Sequence, residues 1–162
     1  MRLLLSTSIL FVLYGCDTGP AFLPAALPEP PAMDLLPPVQ TNIPPGVYIG
    51  TVRQRFVQTA KGVTLIDQTT ESAYSETVDG NGLPLIQPEG IVPQVGALAR
   101  FTQSNLSGWL QVTSVQTSNN QLVIYYREAY RRQDGLQLEG SGKWIYRFEA
   151  PNKLHYQGSS SL

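Results

Sequence analysis

From Gly46 onward, apolar and polar residues alternate at a period of two, and hardly any run repeats at helical spacing. The cleanest case begins at Leu136. There Leu136, Leu138, Gly140, Gly142, Trp144, Tyr146 and Phe148 fall on one face, and Gln137, Glu139, Ser141, Lys143, Ile145, Arg147 and Glu149 on the other. Such a strand turns one side to a core and the other to water. The segments GVYIGTVRQRFVQT, GVTLIDQTTESAYSETV, ALARFTQ, SGWLQVTSVQTS, NQLVIYYREAYRRQ and KLHYQG each predict a further strand or bent pair, and the turn signals AKG, DGNG, SNLSG, SNN, QDG and APN separate them. A parallel return needs a crossover of a dozen or more residues, so this close spacing predicts antiparallel hairpins. Residues 46–162 are thus expected to form one all-β domain, a small antiparallel β-barrel or sandwich of about seven to eight strands. Gly140 and Gly142, in mid-strand, mark a bend or the close approach of another backbone, which favours a barrel.

The pattern is different before Gly46. Arg2 precedes an apolar run from Leu3 to Leu13, interrupted only at Ser6, Thr7 and Ser8. The run has 11 residues, whereas a helix spanning a bilayer needs about 20, so it reads as a removable export signal. The plainer alternative is a buried N-terminal helix, but no capping residue precedes the run and a proline-rich stretch follows it.

Leu13, Tyr14, Gly15 and Cys16 resemble the lipobox of bacterial lipoproteins, with Leu at minus three and a small residue at minus one before the cysteine. The resemblance implies removal of residues 1–15 as a lipoprotein signal peptide and acylation of Cys16, the lipidation site, as the first residue of the mature chain. Each buried methylene contributes about 0.8 kcal/mol, so two or more acyl chains would make the membrane a stable partner. Asp17 resembles the inner-membrane retention signal of enteric bacteria. Gly46, Val47 and Tyr48 resemble the Gly-x-Trp opening of lipocalin-like barrels, with Tyr48 in the place of the Trp.

Nine of the 13 prolines lie between Pro20 and Pro45. Residues 16–45 are therefore expected to be a disordered, proline-rich linker behind the lipidated cysteine, stiffened toward polyproline II and reaching on the order of 90 Å at most. The alternative role for PEPP and LLPP is as ligands for a partner.

Charge and composition narrow the functional classes without selecting one. A net charge of -1 indicates no nucleic-acid footprint. One cysteine and one histidine, His155, leave no metal set and no cofactor motif. Nothing supplies a catalytic residue either. His155 alternates with Leu154 and Tyr156 as a solvent-facing strand residue, and no G-x-S-x-G occurs. GSGKW at Gly140–Trp144 lacks the phosphate-loop spacing. DGNG at Asp79 reads as a tight turn rather than a calcium loop. The acid pairs Glu71 with Glu76 and Glu139 with Glu149 would need to face each other across a cleft to hydrolyse a glycan.

The strand IYYREAYRR offers more, because Tyr126, Arg127, Tyr130 and Arg131 interleave aromatic and basic groups that suit an anionic glycan, a phospholipid head group or a protein partner. Trp144, Tyr146 and Phe148 would line the interior if the barrel carried an apolar ligand. The expectation is a non-enzymatic, lipid-anchored interaction or assembly module of the cell envelope, facing periplasm or exterior. An apolar-ligand carrier is the first alternative and an envelope glycan hydrolase the second. The loop Asp79–Gly96 reads as a lid, a partner-binding loop or a connection with one short strand.

Overall fold

The computed structural model describes residues 26–60, 63–86, 90–103, 106–149 and 152–161. They form seven strands and no helix: β1 Gly46–Ala60, β2 Val63–Val78, β3 Leu98–Gln103, β4 Leu106–Ser118, β5 Gln121–Arg132, β6 Gln137–Glu149 and β7 Lys153–Ser161. All belong to one strongly curled sheet of order β2-β1-β7-β6-β5-β4-β3, a half-barrel. Each strand segment read from the period-two pattern is a strand here.

One pairing departs from the all-antiparallel expectation. β3 to β7 form a meander, and β7 returns beside β1 in parallel register, with Val52 opposite Tyr156. The hairpin β1–β2 precedes the meander rather than joining it, so the chain crosses once from the β2 edge to the β3 edge, and that crossing reverses the expected sense of the closing pair.

The crossing is the loop Asp79–Gly96, and in its described part it is core material. Leu83 is fully buried, and Pro84, Pro93 and Ile86 are buried with it. Two isolated bridges, Val78 to Pro84 and Ile86 to Ile91, hold the loop. Asp79 begins it with a tight turn: its Oδ1 accepts from the backbone N–H groups of Asn81 and Leu83, and Gly82 takes φ +76, which L side chains rarely adopt.

Among the described residues the proline-rich stretch, 26–45, has no helix or strand, as its prolines dictate, but it is not the free linker expected. The Trp109 Nε1–H donates to the Pro28 carbonyl at 2.7 Å, and the Gln111 Nε2–H to the Pro31 carbonyl at 3.0 Å. The Leu36 N–H then donates to Val95 and the Thr41 N–H to Asn81, which lays the segment along the crossing loop. Ile43 enters the core, and Tyr48 closes the path by donating to the Pro44 carbonyl at 2.9 Å. An extended chain with few N–H donors still presents carbonyls, and donors on β4 and the loop satisfy several of them. Residues 26–45 are therefore a strap over the sheet and across one of its ends. Cys16, Asp17 and the apolar N-terminal run lie outside the described residues.

Candidate functional site

Register decides which of the sequence-predicted residues meet. Tyr126, Tyr130, Trp144, Tyr146 and Phe148 all project to the concave face. Arg127 and Arg131 have the opposite parity and project to the convex one. The aromatic–basic strand is therefore not one surface but two.

On the concave face the rings form a chain across strands. Tyr74 stacks on Tyr156 with centroids 5.1 Å apart, Tyr156 on Tyr146 at 4.6 Å, and Tyr146 on Phe148 at 6.1 Å. Phe148 meets the edge of Tyr48 at 5.0 Å, and Tyr126 packs on Trp144 at 4.5 Å. Of the two mid-strand glycines of β6, Gly142 marks the close approach of another strand. A Cβ on Gly142 would run into the Ser159 carbonyl and the Tyr126 hydroxyl, so only a bare Cα fits beneath that ring.

Two carboxylates sit among these rings. Glu76 is buried and accepts from the Tyr74 hydroxyl and the Thr77 N–H. Glu128 is buried and accepts from the hydroxyls of Tyr130 and Ser160. Burial pushes both carboxyl pKa values up, and the hydrogen bonds offset this only in part. Among the described residues neither forms an ion pair. Burial also raises the phenols of Tyr126, Tyr130, Tyr146 and Tyr156, helped at Tyr126 and Tyr130 by the nearby Glu128 charge. The cluster's two carboxyls are thus biased toward the protonated form in a close-packed setting. Its acids carry a signature that could have been read: Tyr74-Ser75-Glu76 and Glu128-Ala129-Tyr130 place acid and phenol two apart on one strand face.

The acid pairs weighed from sequence do not form. Glu71 is exposed on the convex side and Glu76 buried on the concave one. Glu139 and Glu149 share the convex face of β6 but stand about 33 Å apart along it. GSGKW lies within β6, not in a loop. His155 is exposed on β7, 3.7 Å from Glu149. Among the described residues no group of three His, Cys, Asp or Glu side chains is placed to hold a metal ion.

The convex face collects the cations. By register it holds Arg53 and Arg55 on β1, Arg100 on β3, Arg127 and Arg131 on β5, Lys143 and Arg147 on β6, and Lys153 on β7. Acids on that face are fewer: Asp67 and Glu71 on β2, Glu139 and Glu149 on β6, and Glu29 of the strap, which pairs with Arg100 at 3.5 Å. A chain of near-zero net charge thus turns a cationic surface outward from the sheet. Comparisons with protein-family models, curated proteins and solved structures give no match for the chain.

Proposed function

We propose that this protein is a lipid-anchored protein of the bacterial envelope, held to the membrane through acylated Cys16, and that its β-domain is a non-enzymatic interaction module. The observation that carries the second half is the filled concave face. A carrier of an apolar molecule needs a hollow between its walls, whereas here Tyr146 and Tyr156 are both buried in a continuous stack and Leu83 closes over the core from the crossing loop. A hollow of about 350 Å³ lies on the convex face, and one of about 260 Å³ lies where the ring chain ends, walled by Tyr48 and Phe148 beside the turns at Asn119–Asn120 and Asn152, so it does not enter between the stacked rings. The anchor rests on the Leu13–Cys16 resemblance. The strap adds a consequence, because only the residues between Cys16 and Ala26 remain as spacer, about 30 Å when extended. The domain would then work close to the bilayer, with its convex face as the contact surface.

Titration of the purified chain with a fluorescent long-chain fatty acid separates module from carrier. Absence of saturable binding up to the probe's solubility is expected. Stoichiometric binding that quenches the indole of Trp144 would replace the module reading with carriage.

A further inference from the structure

We propose that the convex face carries a binding site for a phosphate ester, in the depression where the last residues of β1 and β7 run beside the middle of β6 and the inner part of β5. Its volume is about 350 Å³, and Ser141, Ser159 and Ser161 form its floor. Register makes this a built arrangement. Ser159 lies opposite Arg55 on one side and Lys143 on the other, and Lys143 in turn lies opposite Tyr125. At about 4.8 Å between strands, the two cations flank the Ser159 hydroxyl at about 10 Å from each other, wide enough to admit an anion between them. Arg127 lies opposite Ser141, one diagonal step from Lys143 and outside the lining itself, as a further positive charge nearby.

The chemistry of the lining selects the ligand. Hydroxyls rotate to donate in any direction, and three of them beneath two or three cations suit the several oxygens of a tetrahedral anion better than a planar carboxylate. The hollow is larger than a phosphate group alone. Tyr125 and Val57 wall the remainder with a ring face and an aliphatic side, which fits a glycerol or sugar carried on the phosphate. The small residues create the space: Ser141 and Ser161 lie opposite each other between Val57 and Arg127, and Ser159 stands between Arg55 and Lys143.

One acid opposes the site. Asp67 accepts from one edge of the Arg55 guanidinium with both carboxylate oxygens, at 2.9 Å from Nε and 2.7 Å from Nη2, and both side chains are largely exposed. Among the described residues Lys143 and Arg127 have no ion-pair partner. Asp67 therefore weakens one of the flanking cations, and its removal would strengthen the site.

The test is a titration of the full-length chain with glycerol 3-phosphate, followed by amide chemical shifts, with sodium acetate at equal ionic strength as control. Saturable shifts confined to Ser141, Lys143, Ser159 and their neighbours are expected. Lys143→Gln should weaken binding about five-fold, and Asp67→Asn should tighten it about two-fold. Both positions are exposed, so neither change threatens the fold. A second arm replaces the soluble ester by vesicles of phosphatidylglycerol in phosphatidylcholine. Binding lost in Lys143→Gln there identifies the ester as a lipid head group, and binding confined to the soluble arm identifies a free organic phosphate. Equal shifts with acetate, shifts spread over Arg53, Arg100 and Arg147, or indifference to both substitutions would overturn the site. Those outcomes concern the depression alone and leave the reading of Cys16 untouched.

Discussion

The indole of Trp109 donates to the carbonyl of Pro28 across 81 positions of sequence, and this bond turns a proline-rich leader into a part of the fold. Trp109 lies on the outer side of β4, where an aromatic residue would ordinarily be exposed, yet it is buried. The strap is what buries it.

Loss of that donor should loosen the strap. In Trp109→Phe the Pro28 carbonyl loses its partner, and about 1–2 kcal/mol of stability should go with it. Hydrogen exchange at Leu36 and Thr41, whose N–H groups are bonded to Val95 and Asn81, should quicken before exchange in β5 or β6 does. Unchanged exchange at both amides would mean that the strap is held without Trp109.

Gly142 and Gly80 form a matched pair. A methyl on Gly142 would strike the Ser159 carbonyl and the Tyr126 ring, while one on Gly80 meets nothing within 4 Å. Gly142→Ala should cost about 2–3 kcal/mol in urea unfolding, and Gly80→Ala should stay within about 0.5 kcal/mol. Equal effects would contradict the close approach of β6 to the ring of Tyr126.

Glu128 should make the fold more stable in mild acid. Its carboxyl is held above its ordinary range by burial, so the native chain binds a proton that the unfolded chain has released. That contribution is complete below the ordinary carboxylate pKa of about 4.3 and disappears as pH rises through the native value. Glu76 acts in the same sense. Asp67 and Asp134, lowered by their arginines, act in the opposite sense but only at lower pH, and both are exposed. The melting temperature should therefore rise as pH falls from 8 toward the ordinary carboxylate pKa of about 4.3, and Glu128→Gln should melt higher than the parent at pH 8 with a flatter profile. A profile as steep in Glu128→Gln as in the parent would assign the pH dependence elsewhere.

Leu83 tests whether the crossing loop is core or lid. Being fully buried, its replacement by Ala should cost about 2–5 kcal/mol. A cost near zero would return the loop to the class of mobile connections.

Strand positions were legible because period-two patterning and turn residues are local properties, and β5 and β6 show both plainly. Sheet order was not. The parallel pairing of β1 with β7 depends on a long-range crossing that no single strand encodes. A bulge after Val112 also puts Ser114 opposite Tyr125, so β4 changes its inward parity midway and a strict alternation misassigns its second half. The strap was illegible for another reason. Proline content announces an extended chain, but what that chain lies against is set by donors on Trp109 and Gln111 some 80 residues away. Of the candidate site, the aromatic members were visible by parity, whereas Ser159 and Ser161 had no local signal, since their role comes from the cations opposite them.

The reading of the whole protein turns on Cys16, and the intact mass of the protein extracted from membranes addresses it most directly. A chain beginning at Cys16, heavier than its residues by a diacylglyceryl group and a further acyl chain, is the expected result, with Cys16→Ala neither acylated nor cut before residue 16. A mature chain without lipid, or a Cys16→Ala protein cut before residue 16 like the parent, would contradict it.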